Sequence, residues 1–159
     1  MSVSNTAPSF VVRSRGEFAA WLPSLIGFHS EGALVVVFLD DGKVSLSMRL
    51  DLEYLSSDSD DVTRQIRNAA RQSCAGELLI AVYCPRGGGA YPFQDEVESL
   101  VSRCEVEGLV CRDALLVDAG RYWSYLCRGE ACCPPEGAVI ARRRGSAGVV
   151  TTGARGGRR

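Results

Sequence analysis

Cysteine, arginine and a run of glycines are the residues of this chain whose chemistry is easiest to name. Cys127, Cys132 and Cys133 fall in a C-x4-C-C pattern inside the stretch 121–137, RYWSYLCRGEACCPPEG. As thiolates they could hold zinc, with His29 or Cys84 brought in by the fold as a fourth ligand. Adjacent cysteines seldom share one tetrahedral ion, however, and the chain has a single histidine and no second ligand knuckle. The simpler reading is small thiols packing a loop between Trp123 and the pair Pro134 and Pro135, with no cofactor. A redox role for Cys132 and Cys133 is disfavoured, because a bond between neighbours is strained and no C-x-x-C is present.

Arg86, Gly87, Gly88 and Gly89 follow an apolar run and precede a helical pattern. Open α/β sheets place ligands at such a position, and glycines let backbone N–H groups approach a phosphate. The stretch matches neither G-x-G-x-x-G nor G-x-x-x-x-G-K-[ST], which favours a plain flexible loop. Arg49 and Asp51, two residues apart near a strand end, could clamp a small polar ligand. Alternation sets them opposite Met48 and Leu50, so a solvated strand end is the favoured reading. His29 follows a helix end and has no Ser or Cys partner at a recognisable elbow, so it makes no triad. Arg142, Arg143, Arg144 and the RGGRR end could associate with nucleic acid by counterion release. No aromatic residue is interleaved there to stack bases, so a solubilising tail is favoured. No catalytic residue is assigned.

These candidates need a scaffold, and 159 residues with 46% hydrophobic and 23% charged suit one domain with a sizeable core. The net charge of −1 hides an asymmetry: residues 138–159 carry six Arg and no acid, leaving 12 basic and 19 acidic residues before them. An acidic body does not invite nucleic acid; only the basic end could. The first ten residues lack a signal peptide's charged and apolar regions, and no window approaches a membrane span, so a cytoplasmic location is expected. There, an odd count of seven cysteines is expected to be free rather than paired.

Along the chain, 1–8 reads as a flexible terminus and 9–13 as a short strand. Phe18, Trp21, Leu22, Leu25 and Ile26 share a helical face, with Pro23 expected to shorten or kink that helix and Gly27 to end it. Residues 33–39, ALVVVFL, predict a central strand covered on both faces. The Asp41–Gly42 turn signal and the alternating 44–52 run make a hairpin with it. After a loop at 53–59, Asp60 or Asp61 could cap a helix whose inner face is Val62, Ile66, Ala69, Ala70 and Cys74, ended by Gly76. Residues 78–84, LLIAVYC, then predict a strand reached by a right-handed crossover and parallel to the central one. A third helix carries Phe93, Val97, Leu100, Val101 and Cys104, and Gly108 ends it. Strands at 109–118 and 121–126 close the body as a second hairpin. The expectation is an α/β domain over 9–140, a mixed sheet in the order β-α-β-β-α-β-α-β-β, followed by a basic, disordered tail at 141–159.

Three blocks in this order, LPSLIGFHSEGALVVVFL at 22–39, MRLDL at 48–52 and RYWSYLCRGEACCPPEG at 121–137, resemble an actinobacterial family also seen on phages and mobile elements, known only as a domain of unknown function. Members of that family are often longer, so the resemblance is to their N-terminal part. It implies an α/β cytoplasmic protein with no established activity, substrate or cofactor. Since no acid/base pair or nucleophile emerges from the motifs, the function expected is a non-enzymatic binding or interaction module whose partner is unknown and could be a protein, with no membrane contact. Enclosure of Trp123, Tyr125 and Cys127 would exclude a docking surface in their loop. The alternative is an enzyme acting on a phosphorylated or nucleotide ligand through Arg49, Asp51, Cys84 and Arg86.

Overall fold

The β-branched run at 33–39 does what its composition demands: as β2 (Ala33–Asp40) it is enclosed on both faces, with every residue from Ala33 to Leu39 fully buried. A computed structural model of the chain describes residues 2–4, 14–26, 31–127 and 134–140. The expectations placed on 9–13, Gly27, His29, Cys132, Cys133 and 141–159 lie outside the described residues. In order the elements are β1 (Ser2–Ser4), α1 (Arg15–Ile26), β2, β3 (Lys43–Asp51), α2 (Tyr54–Ser57), α3 (Ser59–Ser73), β4 (Glu77–Tyr83), α4 (Gln94–Val106), β5 (Val110–Asp118), β6 (Arg121–Ser124) and β7 (Ala138–Val139). The seven strands form one mixed sheet in the order β1-β3-β2-β4-β5-β6-β7.

β2 and β3 are the expected hairpin, turned by Asp41 and Gly42, both at positive φ (55° and 80°), where a primed turn matches the twist of the strands. β4 then arrives beside β2, but antiparallel to it, whereas a parallel pairing was expected. The crossover helix α3 leaves from β3, not from β2. It therefore sets β4 parallel in direction to β3, and β2 lies between them and opposes both. The parallel pair is instead β4 and β5, joined through α4.

Each face of the sheet has its own core. Leu34, Val36, Phe38, Met48, Leu78, Ile80 and Leu116 pack with Val62, Ile66, Val97 and Leu100 of α3 and α4. The alternate set, Val35, Val37, Leu79, Ala81 and Leu115, packs with Phe18, Ala19 and Leu22 of α1. α1 runs on through Pro23, which removes one backbone hydrogen bond without ending the helix. α3 is capped by Asp58, whose carboxylate accepts from the Asp61 N–H at 3.2 Å, so neither Asp60 nor Asp61 takes that role. Cys74, expected on the inner face, is the exposed left-handed C-cap at φ 56° and closes the helix before Gly76. The segment expected as a loop before α3 contains the short α2, whose Leu55 joins the core. Residues 2–4, expected within a flexible terminus, add a short strand to the open edge of β3. Among the described residues no helix is long and apolar enough to cross a membrane.

Candidate functional site

The C-terminal ends of the parallel strands β4 and β5 mark where a sheet of this kind offers a crevice to a ligand. Arg86 lies there, just past β4, and its backbone N–H donates to Oδ2 of Asp118 at the end of β5, 2.9 Å away. The side chain lies over two rings. Its guanidinium carbon is 4.6 Å from the Tyr91 ring centroid and 5.5 Å from that of Trp123. Each such cation–π contact is worth about 0.5–2 kcal/mol, depending on desolvation. One terminal nitrogen donates to the Gly89 carbonyl at 2.8 Å, which folds the glycine run back over the arginine. The Nε, shut off from solvent, has no hydrogen-bond partner.

The surrounding aromatic residues are fixed rather than available. Trp123 is 6% exposed and donates from Nε1 to the Pro135 carbonyl at 3.0 Å. Tyr125 is 1% exposed, donates from its hydroxyl to the Pro92 carbonyl at 2.7 Å, and meets Tyr91 edge-on with centroids 5.8 Å apart. Gly137, at φ 84°, passes so close to Trp123 that an added Cβ would sit 2.6 Å from the indole. Trp123 and Tyr125 are thus bound into the core, and the alternative that these two rings form a docking surface falls. Cys127 is half-buried and disulfide-bonded, against the expectation of free thiols, its partner lying outside the described residues. A sulfur so bonded offers no thiolate, so zinc at Cys127 would require that bond to be reduced first. Among the described residues no three His, Cys, Asp or Glu side chains are grouped to hold a metal.

Gly87, Gly88 and Gly89 differ from Gly137. An added Cβ at any of them would meet nothing within 4 Å, and of the three only Gly87 has a positive φ, 69°. Neither crowding nor backbone conformation asks for glycine at 88 and 89. Arg49 and Asp51 pair with each other at 3.7 Å, Asp51 exposed. In the sheet Arg49 is opposite Val35, on the α1 face, whereas Arg86 stacks on Trp123, on the α3–α4 face. The structure therefore does not bring Arg49 and Asp51 to Arg86. Cys84 is close to Arg86 in sequence but buried in the α3–α4 core, and burial, followed by the charges of Asp118 and Glu31, pushes its thiol pKa up. Burial likewise raises the hydroxyl pKa of Tyr125. Both groups stay protonated at neutral pH.

A polar cluster on the opposite face was not anticipated. Asp113 is 6% exposed, and its carboxylate accepts from Arg15 Nε at 2.8 Å, Ser124 Oγ at 2.7 Å and the Ala114 N–H at 2.8 Å. Ser124, fully buried, in turn accepts from the backbone N–H groups of Leu126 and Cys127. The reason lies in register: Leu78 pairs with Cys111 but Leu79 with Asp113, so Arg112 is a bulge that turns Asp113 to the α1 side. The charged pair Arg112–Asp113 inside an otherwise apolar run was the available sequence signal. Saturated in this way, the cluster docks α1 and anchors the start of the cysteine loop, a structural task.

No curated protein matches the chain. A family model does match over residues 16–158, from the first turn of α1 through β7 and into the arginine-rich end, and on that match the chain belongs to the DUF4192 family, a domain of unknown function.

Proposed function

We propose that the domain is a cytoplasmic binding module rather than a catalyst, and that it takes a small phosphate-bearing ligand at the C-terminal ends of β4 and β5. The observation carrying this reading is the pair Gly88 and Gly89, glycines in open space that the fold does not require. Glycine in place of alanine costs about 0.4–1 kcal/mol in unfolded-chain entropy where the conformation permits either. A ligand approaching the backbone N–H groups closely is the physical reason to keep it. Arg86 supports the same reading: a guanidinium held against two rings and hydrogen-bonded to the Gly89 carbonyl keeps a fixed positive charge beside the glycine run. Binding is favoured over chemistry because the nearby Cys84 and Tyr125 are held in their protonated, unreactive forms. Among the described residues the free thiols of Cys74, Cys84, Cys104 and Cys111 fit a reducing compartment, while the Cys127 disulfide counts against one.

The chain has two tryptophans, and Trp123 is beside Arg86, so indole emission reports on this edge. Titration with inorganic pyrophosphate and with a nucleoside triphosphate is expected to give a saturable change in emission that Arg86→Ala abolishes. No saturable change with either probe, or the same change in Arg86→Ala, would remove the proposal.

A further inference from the structure

At the other end of the sheet, α3 and α4 leave a groove between them that the Arg86 edge does not touch. One lobe, of about 460 Å³, is lined by Asp60, Thr63, Arg64, Arg67, Arg103 and Glu107, with Val106 at its rim. A second lobe, of about 260 Å³, shares Arg67 and Glu107 with the first and continues past Arg71 and Cys74 to Gly108 and Leu109. The larger lobe alone falls within the range of small-molecule sites. Three guanidinium groups, of Arg64, Arg67 and Arg103, therefore border the larger pocket and Arg67 and Arg71 the adjoining one, against the two carboxylates of Asp60 and Glu107.

The carboxylates hold these arginines only loosely. Arg67 reaches Glu107 at 3.3 Å, with both side chains about a third exposed. Arg103 meets Asp60 at 2.6 Å, but that aspartate is 90% exposed, and Arg64 pairs with Asp61 one helical turn away. Pairs of this kind are worth little against water and exchange readily for a better anion. Arg67 stands at the junction of the two lobes, and its Nε is cut off from solvent with no hydrogen-bond partner. That Nε is turned into the protein, so the accessible donors are the terminal nitrogens, and an oxyanion entering beside Glu107 would be bound by them in place of the carboxylate, with the Nε–H close by as a reporter. The apolar wall of Ala70, Ala75 and Leu109 suits the uncharged part of such a molecule.

We propose that the α3–α4 groove is a second binding site, for a phosphate-bearing small molecule whose anionic end is seated on Arg67 with Arg64 and Arg103 beside it. It does not rest on the reading of the Arg86 edge. The test is nuclear magnetic resonance of the arginine Nε–H groups of the full chain during titration with inorganic pyrophosphate, the Arg67 signal being the one lost in Arg67→Lys. A saturable downfield shift of that signal is expected, retained in Arg86→Ala. Glu107→Gln, which removes the competing carboxylate, is expected to tighten binding by up to about fivefold. An Arg67 signal that stays in place, or that drifts without saturation together with the other arginines as ionic strength rises, would overturn the proposal. So would unchanged or weakened binding in a folded Glu107→Gln variant.

Discussion

Two groups of ion pairs, one around Asp113 and one between α3 and α4, are built from the same residue types in different surroundings. On the α1 side Arg15 meets Asp113 at 2.8 Å, the carboxylate is 8% exposed, and its oxygens also accept from Ser124 and from backbone. On the α3–α4 side Arg67, Arg103 and Arg64 meet carboxylates at the surface, and Arg67 keeps an Nε that nothing accepts from. The glycines repeat the contrast. Gly137 is dictated by the Trp123 ring against it, whereas Gly88 and Gly89 face open space. Around Asp113 and Gly137 the polar atoms are partnered and the space is filled, and those residues serve the fold. The surface arginines of α3 and α4 and the glycines at 88 and 89 exceed what the fold asks, and they are the residues proposed above for a ligand.

The largest effect is expected at the saturated cluster. Asp113→Ala leaves Arg15 and the Ser124 hydroxyl without their acceptor and should cost about 3 kcal/mol in urea unfolding, as the breaking of a buried pair does. A loss of the size seen for surface pairs would erase the contrast between the two faces. Next, Gly137→Ala combines a strained positive φ with overlap against Trp123 and should lose about 2–3 kcal/mol. An unchanged urea midpoint there would show that this end of the sheet yields easily.

A pH effect sharpens the account of the core. Burial raises the thiol of Cys104 to about 11 and that of Cys111 to about 12, against an ordinary value of 9.0. The folded state therefore holds these protons more tightly than the unfolded state. Their contribution to stability is complete below about pH 9 and is lost as pH rises through the folded values. Urea midpoints should be level from pH 7 to 8.5 and fall by pH 10.5, less steeply in Cys104→Ala. A thiol reagent applied to native protein should modify the exposed Cys74 quickly and Cys84, Cys104 and Cys111 only on unfolding. Rapid reaction at Cys104 would mean that α4 opens against the sheet.

Much of this architecture was readable from residues. The apolar run of β2, the Asp41–Gly42 hairpin and the stripe of α4 are local patterns, and local patterns survive folding. The antiparallel approach of β4 to β2 was not readable, because it depends on which strand the crossover starts from, a fact that no local periodicity encodes. The Asp113 cluster escaped because the bulge at Arg112 reverses alternation in mid-strand. Arg86 and its glycines were found by position in the chain, yet Tyr91 and Trp123 as its stacking partners come from elsewhere in the chain and only meet it in space. The separation of Arg49 and Asp51 from Arg86 likewise follows from which face of the sheet each occupies.

The binding account turns most directly on Gly88. An alanine there adds a Cβ to open space, so Gly88→Ala is expected to keep the wild-type urea midpoint, within about 0.5 kcal/mol as for other surface changes. The deciding measurement is the pyrophosphate affinity of that variant at the Trp123 edge. A loss of at least about tenfold, equivalent to roughly 1.4 kcal/mol, is predicted, because the methyl group stands where the ligand approaches the backbone. Wild-type affinity in the stable variant would contradict the account and leave Gly88 as a plain loop residue.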